Sequence, residues 1–179
     1  MRKVEWHFWT LGQYRQEEQW LNKKAEEGWA LISAFAVRYE FEPCTPGEYT
    51  YKIMFTDYMP GTEGRQNFES FLAENGIEEV GRYHRWAYYR KKNDGTPFEL
   101  FNSTAEELKH ANKIKSLASM VMTIITICLV IELICFLHNP LILLPALIIV
   151  ATGFAFVAKV HSDCVKLVKE LERENRLFE

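Results

Sequence analysis

The residue most out of place in this sequence is Glu132, a carboxyl within the stretch Leu117 to Ala158, 42 residues that contain no Lys, Arg or Asp. A charged group at the centre of a bilayer-spanning helix costs about 2.5–3.5 kcal/mol, and less near the interface. Such a carboxyl can pair with a cationic ligand, with a partner helix or with His138; otherwise it stays protonated or snorkels to the surface. Other groups able to do chemistry are scattered. His7, His84 and His110 stand alone, and the acid pairs Glu17-Glu18, Glu26-Glu27 and Glu78-Glu79 fall on helix or strand surfaces expected to face solvent. The chain has no phosphate-binding loop, GxGxxG, GxSxG or HExxH pattern and no Cys-His pair at a recognisable spacing. Its four cysteines give no CxxC and no zinc-type cluster. No catalytic residue, metal site, cofactor or disulfide is expected.

The elements that carry these residues separate once composition is divided. The whole chain of 179 residues, 25% charged and with a net charge of −3, has the averages of an ordinary globular protein, as does its mean hydropathy of −0.18. That charge disfavours direct nucleic-acid binding. Residues 1–100 hold 13 basic and 16 acidic side chains, whereas residues 101–179 hold 8 of each, all but Glu132 outside the apolar stretch. Leu117–Leu137, at about 1.5 Å per helical residue, reaches roughly 31 Å, the thickness of a bilayer's hydrocarbon core. After His138-Asn139-Pro140, a turn-forming and helix-breaking triplet, Leu141–Ala158 reaches about 27 Å. Neither run has the polar stripe of a soluble core helix. Two spans joined by a tight turn predict a transmembrane hairpin. Lys109, Lys113 and Lys115 precede it and Lys159, Lys166, Lys169, Arg173 and Arg176 follow it, while the turn has no Lys or Arg. The positive-inside rule then puts both termini in the cytoplasm, in a multi-pass protein of the cell (inner) membrane. The N-terminus lacks the apolar core of a signal peptide.

Residues 1–100 read as a cytoplasmic α+β domain. Val4 to Trp9 alternates as a short aromatic strand, and Thr10-Leu11-Gly12-Gln13 is a capping box starting a helix to Glu27, with Gly28 as its end. Trp29 to Phe41 reads as one strand and Tyr49 to Thr56 as its hairpin partner across Pro43–Gly47. A shift of 48 residues then sets Gly28 on Gly76, Ile32 on Val80 and Phe41 on Tyr89. The second copy is a helix near 63–75 and strands Ile77–Tyr83 and Trp86–Lys91, giving a ferredoxin-like βαββαβ order with an extra strand. With Trp6 and Phe8 filling the core, Trp9 falls on the open sheet face as a ligand or partner contact; the alternative packs it under a loop or the C-terminal helix.

Residues 101–116 read as a linker helix, begun by Ser103 as N-cap with Glu106 completing a second capping box, and continuous into the first span. Residues 159–179 form an amphipathic cytoplasmic helix with the stripe Val160, Cys164, Leu167, Val168 and Leu171. Its partner is the soluble domain, the anionic inner leaflet or, favoured by its balanced charge, a second copy in a homo-oligomer.

Glu18-Gln19-Trp20-Leu21, Ala25 to Leu31 with its Gly28-Trp29, Tyr49-Thr50-Tyr51-Lys52, Asn75 to Glu78, Trp86, Tyr89 to Lys91 and Phe98 to Phe101 together resemble the bacterial domain of unknown function 2812 family. The likeness spans residues 3–110 and the trailing hairpin and identifies no active site, and Gly76-Ile77 stands where a second Gly-Trp would be. It implies a membrane-bound accessory protein that accompanies PadR-like transcription regulators. The expected function is a membrane-anchored, non-enzymatic regulatory or sensory module, with a PadR-like regulator as protein partner and the lipid bilayer as anchor. The alternatives are an amphipathic-ligand or lipid-binding sensor and an accessory subunit of a membrane transporter with Glu132 at the contact.

Overall fold

The computed structural model describes residues 2–56, 63–101, 103–137 and 140–178. They form two compact units, an α+β unit of residues 1–9 and 14–102 and a helical unit of residues 10–13 and 103–179.

In the α+β unit the elements run β1 (Lys3–Trp6), α1 (Tyr14–Glu26), β2 (Trp29–Phe35), β3 (Arg38–Pro43), β4 (Tyr49–Phe55), α2 (Glu63–Glu74), β5 (Ile77–Tyr83) and β6 (Trp86–Lys92). They build two antiparallel three-stranded sheets, β1-β3-β2 and β4-β6-β5. This differs from the single ferredoxin-like sheet expected from the element order. The stretch read as one strand from Trp29 to Phe41 turns back at Ala36, whose φ of 53° is left-handed, and β4 pairs with β6 rather than with β3. The 48-residue offset explains both departures. β5 repeats the bounds of β2, Gly76 repeats the left-handed Gly28, and His84 repeats Ala36 with the same φ of 53°. The register irregularity between Leu31 and Ser33 recurs between Glu79 and Gly81. Each copy is a closed β-α-β-β unit, so β4, the first strand of the second copy, pairs inside that copy. The copies meet where β2 lies beside β5, and Gly81 permits the approach, since a Cβ there would sit 3.0 Å from the Ala34 backbone nitrogen.

Helix α1 begins and ends as its local chemistry dictates. Gln13 Oε1 accepts the Thr10 N–H at 3.0 Å, which is the return half of the capping box, and Gly28 donates to the Ala25 carbonyl as the chain leaves the helix. Tyr14, Leu21 and Ala25 of α1 are buried, together with Leu31, Tyr39 and Phe41 of the first sheet. The second sheet is buried on both faces. Met54, Ala87 and Tyr89 pack with Leu72 of α2 and with Phe98, while Tyr51, Ile53 and Tyr88 turn the other way.

The helical unit consists of α3 (Thr104–Phe136), α4 (Pro140–Phe178) and the 3₁₀ turn Leu11–Gln13. Ser103 caps α3 by accepting the Glu106 N–H at 3.3 Å, and the helix then runs unbroken. The second apolar run and the basic tail are one helix, because no Gly or Pro separates Ala158 from Lys159. α3 and α4 pack antiparallel: Ser119 meets His161, and further along Ile125 meets Gly153. Among the described residues, burial is confined to one end of the pair, where Ala111, Ile114 and Ala118 of α3 and Cys164, Leu167, Val168 and Leu171 of α4 are enclosed. The tail's apolar stripe is therefore covered within its own chain. Toward the other end the large apolar side chains point outward, among them Ile124, Ile127, Ile131, Ile134, Ile148, Ile149 and Phe156. Both helices are long and apolar enough to cross a membrane.

Candidate functional site

Trp9 lies where neither strand parity nor the open-face reading placed it. Pairing with β3 sets Lys3 opposite Phe41 and Glu5 opposite Tyr39, so the odd residues of β1 share the buried face and the even ones point away. Trp6 is 69% exposed and Phe8 56%, the reverse of their expected core role. β1 ends at Trp6, so the alternation does not carry through to Trp9. Trp9 is half-buried, stacked on His7 at 4.1 Å and 6.2 Å from Trp20, and its indole N–H is enclosed without an acceptor among the described residues.

The exposed aromatic side chains of the first sheet lie on its outer face. Val4, Glu40 and Ser33 stand in one cross-strand row, and Trp6, Arg38 and Phe35 in the next. Arg38 pairs with Glu40 between the apolar flanks. Phe35, 63% exposed, meets Tyr83 of β5 edge-on at 5.1 Å. Tyr83 is in register with Trp86 and Phe55, and the Arg85 guanidinium lies 4.3 Å over the Phe55 ring. An aromatic strip thus crosses the strand ends next to the Ala36 and His84 turns. The 48-residue repeat was the available signal, since it equates Phe35 with Tyr83.

Glu17 and Glu18 are buried at 6% and 7% exposure, contrary to their expected solvent-facing position. Glu17 Oε1 accepts the hydroxyls of Tyr39 at 2.6 Å and Tyr88 at 2.8 Å, tying α1 to both sheets. Burial pushes the Glu17 carboxyl above its ordinary range despite these donors, and burial together with the neighbouring carboxylate pushes both tyrosine hydroxyls far up. The tyrosines therefore remain donors at any physiological pH. Glu18 Oε1 accepts the Ile53 N–H at 2.8 Å, and Asn22, one turn on, accepts the Tyr51 N–H at 2.7 Å and donates to its carbonyl at 3.2 Å. These two side chains stand in for a missing strand along the β4 edge. The acid pair is structural.

In the helical unit the 3₁₀ turn seats on α4. Thr10 Oγ1 donates to Asp163 Oδ2 at 2.9 Å, and Asp163, itself buried, also pairs with Lys159 at 3.1 Å. A Cβ on Gly12 would lie 2.4 Å from the Asp163 backbone, so only glycine fits there. Ser119 Oγ lies 3.1 Å from His161 Nε2, a distance shared with catalytic pairs. The same hydroxyl is within hydrogen-bond reach of the Lys115 carbonyl at 2.8 Å, one turn back on its own helix.

Glu132 is half-buried and belongs to the series Met122, Ile125, Leu129, Glu132 and Phe136, the less exposed side of α3 beyond Ala118. Ile125 of that series meets Gly153, which places the series toward α4. Among the described residues Glu132 has no hydrogen-bond or ion-pair partner; His138 lies outside them. Nor, among the described residues, is any group of three or more His, Cys, Asp or Glu arranged to hold a metal ion. A shallow groove beside Tyr49, Glu78, Arg90, Lys91 and Asp94 offers cations already engaged, Arg90 with Glu78 at 2.8 Å and Lys91 with Asp94 at 3.5 Å. Trp9 belongs to the α+β unit and Glu132 to the helical unit, so each is a candidate within its own unit.

No curated protein and no solved structure matches the chain. The model of a family described as "Protein of unknown function (DUF2812)" matches residues 13–125, from the helix that bridges the two sheets into the first half of the apolar stretch. With well over half of its length matched, the chain belongs to the DUF2812 family.

Proposed function

We propose that this chain is a membrane-anchored, non-enzymatic regulatory or sensory module whose α+β unit faces the cytoplasm and binds a soluble protein. The observation that supports it above all is the distribution of apolar surface. α3 and α4 pack on each other, yet large apolar side chains remain exposed around both helices over the segment that lacks Lys, Arg and Asp. Water penalises such a belt, whereas a bilayer accepts it, because lipid chains are as apolar as the side chains. The basic residues flanking α3 and α4 support a hairpin with both ends in the cytoplasm. The partner surface is the Val4, Trp6 and Phe35 face, where covering each large side chain contributes about 1.5–3 kcal/mol. A PadR-like transcription regulator is the partner that family resemblance favours.

The test is capture of the full-length chain from detergent-solubilised membranes, with wild type beside a Trp6→Ser/Phe35→Ser variant. The chain should sediment with membranes and resist carbonate extraction, and the wild type should retain a DNA-binding regulator that the variant loses. A chain found in the soluble fraction overturns the anchoring. Capture of transporter subunits, equal for both forms, overturns the soluble partner.

A further inference from the structure

The two sheets of the α+β unit correspond residue by residue through their pairing. Val4 opposite Glu40 matches Ile53 opposite Tyr88, and Trp6 opposite Arg38 matches Phe55 opposite Trp86. Ser33 beside Glu40 matches Gly81 beside Tyr88, and Phe35 beside Arg38 matches Tyr83 beside Trp86. The outer face of the first sheet is therefore the counterpart of the second-sheet face that carries Ile53 and Tyr88. That second face is covered, Ile53 being 1% and Tyr88 5% exposed, whereas Val4, Trp6 and Phe35 stand open at 43%, 69% and 63%.

A helix helps to cover the second face. α1 sets Tyr14 against Trp86 at 5.9 Å, receives the Tyr88 hydroxyl on Glu17 at 2.8 Å and receives the Ile53 N–H on Glu18 at 2.8 Å. Its contacts advance from Tyr14 to Glu17 as β6 advances from Trp86 to Tyr88, so α1 runs along β6 in the same direction. Transferred to the first sheet, the same path lies along β3 and meets Arg38 first, then Glu40 and Val4. The charges fix what such a helix carries. Where the covered face has Trp86 and Tyr88, the open one has Arg38 and Glu40, paired with each other between apolar flanks. A helix seated there must offer an acid against Arg38 and, three residues later, a base against Glu40, because a charge buried without its partner is costly. Acid before base is also the order that stabilises such a pair on the helix itself. Apolar side chains of the same helix face then cover Val4, Trp6 and Phe35.

We propose that the soluble partner docks an amphipathic helix on the outer face of the first sheet, parallel to β3, with an acid and a base three residues apart over Arg38 and Glu40. The assignment rests on the reading that this face binds a soluble protein and adds the structural class of the contact. The probe is the photoreactive residue p-benzoylphenylalanine, placed at Trp6 or at Val4 of the full-length chain and irradiated in its native cells. Two strand residues span about 6.6 Å, which a helix covers in about four residues and a strand in two. Both positions should cross-link one soluble protein, the Trp6 site lying about four residues before the Val4 site in its sequence. A synthetic peptide of that segment should bind the full-length chain, about tenfold more tightly once a lactam joins residues i and i+4 on its solvent side. The exchange Arg38→Glu with Glu40→Arg keeps the pair and reverses its order, and should weaken the peptide about tenfold. Matching circular dichroism shows that the exchanged chain remains folded. Sites two residues apart, a peptide weakened by the lactam, or equal binding by the exchanged chain overturns the helix and leaves the protein partner standing. Cross-links to lipid or to a second copy alone, or none at all, overturn the protein-binding reading itself, which separates the two failures.

Discussion

Glu17 shows how a carboxylate that looks like surface charge becomes a core residue. It sits beside Glu18 on α1, and only the arrival of Tyr39 and Tyr88, 22 and 71 residues further along the chain, encloses it. No local pattern announces that burial, which is why the pair reads as solvent-facing in the sequence. The consequence is measurable. Because burial holds the folded carboxyl above its unfolded value, the native state binds more protons in the window just above the ordinary carboxyl range, and stability falls as pH rises through it. Glu17→Gln keeps an acceptor for both tyrosines and removes the titration. We expect the variant to flatten the fall of unfolding free energy with rising pH above the ordinary carboxyl range. Near neutral pH it should be at least as stable as wild type, read by tryptophan fluorescence of the full-length chain in denaturant. An unchanged slope would show that Glu17 does not titrate inside the fold.

Among the elements, α1 has two roles, covering the first sheet and closing the β4 edge through Glu18 and Asn22. Asn22→Ala removes both hydrogen bonds to the Tyr51 backbone. The expected cost is about 1–3 kcal/mol, since a buried donor is left unmet. Hydrogen exchange should accelerate most at the Tyr51 amide and little in β6; uniform acceleration across the second sheet would mean a global loss instead. The helices were legible from local chemistry. Gly28 ends α1 and Ser103 starts α3 as their positions require, because caps act within three or four residues. The strands were half legible. The turn at Ala36 lacks Gly, Asn or Pro, so the local pattern runs through it as strand, whereas its counterpart between Tyr83 and Trp86 shows as a break. Applied consistently, the 48-residue repeat would have supplied the missing turn and the pairing of β4.

For the whole molecule, the apolar belt makes a prediction about its thiols. Cys128 and Cys135 are exposed on the helical unit, while Cys164 is buried and its thiol is pushed up to about 11, mainly by burial. In intact membranes a charged maleimide should label Cys44, which is half-exposed, at least about tenfold faster than Cys128 or Cys135, and SDS should abolish the difference. Rapid labelling of Cys128 and Cys135 before SDS would place the belt in water. The sequence by itself determined the division into a charged α+β half and an apolar helical half, the continuous α3, the Gln13 half of the first capping box, the Ser103 cap and the glycine helix end, because these depend on composition or on neighbours within one helical turn. Only the tertiary structure decided that Trp6 and Phe35 rather than Trp9 face outward and that Glu17 and Glu18 are enclosed. It also decided that the tail's stripe is covered by its own chain and that Glu132 faces α4. Each of these depends on which distant segment arrives to cover a given face. Pairing and burial of that kind are set by contacts tens of residues apart, beyond the reach of local periodicity.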